Sequence, residues 1–298
     1  MTRERLLPLV LLVGMGALWG ISQPLSKIAV AAGYRDIGII FWQFAIGAAF
    51  LGLLNLIRGK GLPVGWPQLG IYLMIAMIGA ILPNWAGYTA AIHLLSGILS
   101  IVIATVPMMA FPIALALGMD RFSVLRLLGL ILGLVAIILI VTPGSSLPDR
   151  AMAIWLPVAL IAPLFYAVEG NVVAKWGTAG LDAVQVLLGA SLVGGLISAP
   201  LAVYTGAWIS PLGPWNGAHW AIVGMAVAHT SAYTAYVWLV GRTGAVFASQ
   251  VGYLVTGFGI LWAKLILDES YSPWVWAALG LMLLGVFLVQ PRRGAKRN

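Results

Sequence analysis

The sequence predicts an all-α integral membrane protein whose ten transmembrane helices form two inverted five-helix halves, with both termini in the cytoplasm. Three observations carry that prediction. Hydrophobic residues fill 62% of the 298 positions and charged residues only 8%, against about 25% charged in a soluble domain. So few polar groups cannot coat a water-soluble surface. Two stretches of 59 residues, 61–119 and 183–241, contain no Asp, Glu, Lys or Arg, and each can cross a bilayer twice at about 20 residues a crossing. The remaining charges sit at the ends of apolar segments, so the net charge of +8 calls for no nucleic-acid partner. The absence of cysteine excludes disulfides and thiolate metal sites.

The elements are set by breakers and charges read in order. Span one, 8–32, comes after Arg3-Glu4-Arg5; its apolar run is too long for the core of a secretory signal, so it reads as an uncleaved first helix. Span two, 36–57, runs from Asp36 to the basic pair Arg58 and Lys60. Spans three and four, 67–92 and 96–118, divide at His93-Leu94-Leu95-Ser96-Gly97. Span five, 123–143, comes after Asp120-Arg121, and span six, 151–177, carries Glu169. Spans seven and eight, 181–204 and 216–241, divide in the Pro/Gly-rich run from Thr205 to Gly217. Spans nine and ten, 245–267 and 273–290, divide at Asp268-Glu269-Ser270. Trp66, Trp155, Trp208, Trp215 and Trp274 fall near span ends, as an interfacial belt does.

With the termini inside, the cytoplasmic face collects Arg3, Arg5, Arg58, Lys60, Arg121, Arg126, Lys175, Arg242, Arg292, Arg293, Lys296 and Arg297. The outer face keeps Lys27, Arg35, Arg150 and Lys264. Positive charge concentrates on the cytoplasmic side of membrane proteins, and shifting the span count by one destroys the asymmetry. The halves 1–145 and 146–298 also echo each other. Gly79 and Tyr88-Thr89-Ala90 recur as Gly224 and Tyr233-Thr234-Ala235, Gln43 and Gly47 as Gln185 and Gly189, and Trp19 to Lys27 aligns with Ala167 to Lys175. Ser100 pairs with Ser249, and Asp120 with Glu269. Five spans is an odd number, so the second half enters the membrane from the opposite side, the plan of many secondary transporters.

Trp19-Gly20 followed by Lys27, and an acidic residue closing span four or nine before a Gly/Ala-rich helix (Asp120-Arg121-Phe122-Ser123 with Gly129 and Gly133; Asp268-Glu269-Ser270 with Gly280 and Gly285), resemble EamA repeats of the drug/metabolite transporter superfamily. The resemblance covers residues 8–290. Aspartate stands here where the family usually has glutamate after span four, and Thr256 where it usually has a proline in span nine. The resemblance implies a ten-helix alternating-access carrier, often an exporter of amino acids, amines or other small metabolites.

Polar groups at membrane depth are costly and so informative. Glu169 lies about 18 residues into span six, roughly 27 Å along it at 1.5 Å per residue, toward the cytoplasmic third; its repeat counterpart is Ile21. It reads either as a counter-ion for a substrate amine or a proton-coupling carboxylate, or as a near-interface acid paired with a neighbour such as Lys175. Asn84 and Tyr88 share a face of span three, as their counterparts His229 and Tyr233 do on span eight. The pairs read as opposite walls of a binding cavity or as interhelical hydrogen bonds. His229 could titrate during a transport cycle or be a neutral structural group. Trp19, Gln23, Asn171, Gln250 and Tyr253 are further substrate-binding candidates that packing would equally explain.

Pro24, Pro83, Pro107 and Pro163 fall inside spans, where each removes a helix hydrogen bond and marks a gate or kink. Gly16 with Gly20 and Gly129 with Gly133 have the spacing of close helix contact. No metal-ligand spacing, cofactor motif, Walker loop, HExxH or GxSxG occurs. The sequence therefore reads as a multi-pass protein of the cell's inner or plasma membrane, among lipids, not an enzyme. It would move a small amine-bearing metabolite such as an amino acid, with the outward direction implied by the family resemblance only. A multidrug or quaternary-cation exporter is the alternative, and an integral membrane enzyme or a sensor without flux are readings of other classes. Composition does not bear on oligomeric state.

Overall fold

The computed structural model describes residues 3–141, 150–243 and 251–289. The candidate Gln250, its neighbour Ser249 and the basic residues Arg292, Arg293, Lys296 and Arg297 lie outside the described residues. Those that are described fold into helices without a strand. The helices are α1 (Arg3–Gly20), α2 (Ser22–Ala31), α3 (Asp36–Ile57), α4 (Trp66–Met74), a π-helical turn (Ile75–Ile81), α5 (Leu82–His93), α6 (Ser96–Ile103) and α7 (Val106–Ala116). After them come α8 (Val124–Val141), a 3₁₀ turn (Arg150–Trp155), α9 (Leu156–Trp176), α10 (Ala183–Tyr204), α11 (Gly217–Thr243), α12 (Val251–Leu267) and α13 (Pro273–Val289). Among the described residues, helix is found at the position of every span read from the sequence. Six helical stretches among the described residues are long and apolar enough to cross a membrane: Leu7–Ala31, Asp36–Ile57, Trp66–His93, Ser96–Ala116, Ala151–Trp176 and Ala183–Tyr204.

Prolines explain where several of these stretches are interrupted. Pro24, Pro83 and Pro107 have no N–H for the carbonyls of Gly20, Gly79 and Ile103. The helix breaks after Gly20, becomes π-helical over Ile75–Ile81, and breaks again after Ile103. Pro163 behaves differently. It is buried within α9, which continues through it.

Glycines set how closely the helices approach. A Cβ at Gly20 would lie 2.8 Å from the Gly259 nitrogen, and one at Gly16 would overlap Leu254, so α1 packs directly on α12. A Cβ at Gly129 would lie 2.6 Å from the Gly285 carbonyl oxygen, which ties α8 to α13 in the same way. Both glycine pairs thus serve contacts inside this chain. The other principal neighbours are α3 with α10, α5 with α9, α7 with α9, and α11 with α1, α2 and α3. Their shared core includes Ile39, Tyr72, Leu94, Ile98, Met225 and Met282.

Polar bonds join helix ends in two sets. At one end Asp182 caps α10 in a reciprocal box with Gln185 and holds Arg58 at 2.8 Å and Lys60 at 2.7 Å. Lys175 Nζ donates to the Leu117 carbonyl at 3.1 Å nearby, and Arg126 pairs with Asp120. At the other end Arg35 donates to the Thr205 carbonyl and Trp42 to that of Ile209. There the turn between α5 and α6 is held by charge at both helix ends. Lys27 Nζ donates to the carbonyls of Ala91 and Leu94 at 2.6 and 3.0 Å, at the negative end of α5. The buried Glu269 accepts from the backbone N–H groups of Ser96 and Gly97 at 2.8 and 3.1 Å, at the positive end of α6, and from the Tyr271 hydroxyl. Both charges complement a helix dipole, and the bonds are charge-assisted.

Candidate functional site

The site grows from the contact between α9 and the π turn. Side chains on a helix lean toward its N-terminus, so Glu169 reaches back along α9 toward the middle of the stretch Trp66–His93. Its carboxyl group lies flat against Gly79: a Cβ there would fall 2.8 Å from Cδ and Oε1 and 2.9 Å from Oε2 of Glu169. Position along its own span puts Glu169 nearer one end, whereas the neighbouring helix shows that the carboxyl itself sits beside a span's midpoint. None of the ion pairs among the described residues involves Glu169, and Lys175 turns its amine to Leu117 instead.

Two tyrosines lie within electrostatic reach of that carboxyl, Tyr166 on α9 and Tyr233 on α11. Tyr166 donates its hydroxyl to Asn84 Oδ1 at 3.2 Å and thereby fastens α9 to α5. Tyr233 belongs to an aromatic group built on one face of α11. The Trp19 ring stands 6.2 Å from that of His229, 6.4 Å from Tyr233 and 5.6 Å from Tyr236. The break after Gly20 lies next to Trp19. Among the described residues, the Trp19 indole N–H and the Tyr253 hydroxyl are both buried without a hydrogen-bond partner, an unusual condition for buried polar atoms. His229 is exposed even though Trp19 and Tyr233 stand beside it.

The structure thus brings Trp19, His229 and Tyr233 together with Tyr236, which continues the same face of span eight, sets Glu169 against Gly79, and adds Tyr166 and Gly79 to the sequence-derived candidates. It takes Tyr88 and Asn171 elsewhere. Tyr88 is 5% exposed, and its hydroxyl donates to Gln43 Oε1, so it belongs to the contact between α5 and α3. Asn171 donates to the carbonyls of Ala110 and Ala167 at 3.1 and 2.8 Å, which spends its amide on joining α9 to α7. Asn84 faces Tyr166 rather than the aromatic group. Gln23 is half-buried on α2, its carbonyl accepting from Ser26. Tyr166 is findable in sequence, since it precedes Glu169 by three residues and shares its face. Gly79 is not, because its role depends on a distance between helices.

Two cavities lie apart from Glu169. One of about 90 Å³ is lined by Trp42, Ile209, Trp215 and His219 near one end of the bundle. The other, of about 530 Å³, is an apolar groove between α1, α3 and α11 lined by Leu11, Phe50, Ile57, Thr234 and Trp238. Thr234 is the chain neighbour of Tyr233 on α11, but none of Trp19, His229, Tyr233 and Tyr236 lines the groove.

Comparison with known proteins gives one family and one fold. The model of the EamA-like transporter family matches residues 6–142 and again residues 153–290. A solved structure titled "Crystal structure of protein" superposes with a TM-score of 0.64 at 15% sequence identity, covering 93% of this chain and 96% of that one. At that identity the likeness speaks for the fold alone. No curated protein matches the chain.

Proposed function

Because the chain belongs to the EamA-like transporter family, we propose that it is a secondary transporter that carries a small amine-bearing metabolite, an amino acid or a close relative, across the cytoplasmic membrane. The observation that carries the reading is the Glu169 carboxyl beside a span's midpoint, set against Gly79 and outside every ion pair among the described residues. A carboxylate held in a membrane-embedded site without a cation of its own is suited to a substrate ammonium. The rings of Trp19, Tyr233 and Tyr236 offer faces for the same charge and for the apolar part of the substrate. Asn84 and Asn171 hold α9, the helix that carries Glu169.

In this reading all ten helical positions are membrane spans, the halves 1–145 and 146–298 are inverted repeats, and both termini are cytoplasmic. The helix packing supports the repeat. Exchanging each span for its counterpart turns α1 on α12 into α9 on α7, and α1 on α11 into α9 on α5, and all four contacts occur. Direction is assigned outward by likeness to the family, and no chemical step is involved.

The test is ligand-induced thermal stabilisation of purified protein by amino acids, polyamines, quaternary amines and nucleosides, with wild type beside Glu169→Gln. Amines should raise the Tm of wild type and lose at least tenfold in apparent affinity in Glu169→Gln. Preference for quaternary amines over amino acids would move the substrate to the multidrug class, which the aromatic group would also serve. Equal stabilisation of both proteins by neutral or anionic ligands would overturn the reading.

A further inference from the structure

The Glu169 carboxyl occupies its place only because residue 79 has no side chain. Three of its atoms lie within 2.9 Å of the point where a Cβ would stand, closer than any carbon substituent allows. The backbone that forms this wall is the π turn, a local form often found at functional positions. Pro83 cannot donate to the Gly79 carbonyl, and the ladder slips to the wider spacing, with the Leu82 N–H bonded to the Met77 carbonyl. We infer that Gly79 is a positioning residue for Glu169, the π-turn backbone being the surface against which the carboxyl is set. The inference rests on the transport reading above.

Helix α9 cannot simply retreat from a larger residue at 79. Asn171, two residues beyond Glu169, is bonded to Ala110 and Ala167, and Tyr166, three before it, is bonded to Asn84. With both flanks fixed, a Cβ at 79 forces the carboxyl to rotate off the wall. The corresponding glycine of the second half lacks this role. A Cβ at Gly224 would meet the Leu25 Cδ1 at 3.4 Å, an ordinary contact with a flexible apolar tip, and Ile21 stands where the acid would be. The cradle therefore belongs to one half, which gives a pseudo-symmetric carrier a single anionic point.

The experiment measures modification of residue 169 by dicyclohexylcarbodiimide, which adds to protonated carboxyl groups in apolar surroundings, followed by peptide mass mapping. Wild type, Gly79→Ala and Gly224→Ala would be compared in detergent. Labelling at Glu169 should change at least threefold in Gly79→Ala and stay at the wild-type level in Gly224→Ala. Unchanged labelling in a folded Gly79→Ala protein would overturn the inference. Should Gly79→Ala fail to fold, Gly79→Ala combined with Glu169→Asp decides. The shorter acid withdraws from the added methyl, so the pair should recover folded protein, and its failure to do so would place the clash elsewhere. Labelling is read without any substrate, so it stands apart from the loss of amine binding in Glu169→Gln that tests the transport reading.

Discussion

Asp182, Glu269 and Glu169 show what an acid costs and what settles it. Asp182 ends a loop just before α10 and gathers Arg58, Lys60 and the first N–H groups of the helix. Partial burial pushes its carboxyl up, but the bonds from Arg58, Lys60 and the Gln185 N–H, with the Arg58 charge, outweigh that and hold it well below the usual carboxylate range. A depressed acid stabilises the fold above its unfolded value, 3.8 here, and the contribution is lost as pH falls toward the folded value. The site is partly exposed and screened, so Asp182→Asn should cost only about 1 kcal/mol at neutral pH. Melting wild type and Asp182→Asn side by side should show that gap at pH 7 and a closing gap below pH 4. A gap of constant size would mean that the carboxylate charge is not what the mutation removes, since asparagine keeps the oxygen that caps α10. Glu269 is satisfied by two backbone N–H groups and a hydroxyl. Glu169 has no such set among the described residues, which is why it and not Glu269 reads as the site.

Helices are legible in sequence where composition and breakers agree. The span limits come from charge and Pro/Gly runs, and Pro24 and Pro107 mark real interruptions. Pro163 lies inside α9 without ending it, as a proline in a long membrane helix can when neighbours pack around it. A π turn, by contrast, has no residue signature; it emerges from a missing donor at Pro83 together with the packing of α10 and α9 on the same segment. The same limit explains Tyr88 and Asn171, polar at the right depth but spent on neighbouring helices that no single-helix periodicity reveals. Pro83→Ala tests the cause of the turn. A restored N–H can bond the Gly79 carbonyl and tighten the ladder, and one residue of slip rotates α5 relative to α4 by about 100° on a 3.6-residue turn. Amine-dependent stabilisation should weaken at least threefold in Pro83→Ala while the protein still folds. Unchanged stabilisation would assign the turn to packing from α9 and α10 instead.

For the whole molecule, the alternation of spans and the bonds between helix ends agree on which loops lie together. Arg58, Lys60, Asp182, Lys175 and Leu117 share one end; Lys27, Glu269, Arg35, Thr205 and Ile209 share the other. The proposed orientation puts the first set, the richer in Lys and Arg, at the cytoplasmic end, because those residues favour the inner face. The sequence has no cysteine, so single introduced thiols report sidedness without background. Phe122 is 62% exposed in the loop after α7, and Ser210 is exposed in the loop after α10; the alternation puts them on opposite faces. A membrane-impermeant maleimide added to intact cells should label Ser210→Cys and leave Phe122→Cys unmodified until the membrane is opened. The reverse pattern would invert the molecule. Glu169 would then lie on the opposite half of its span relative to the cytoplasm, while the helix packing stayed as it is.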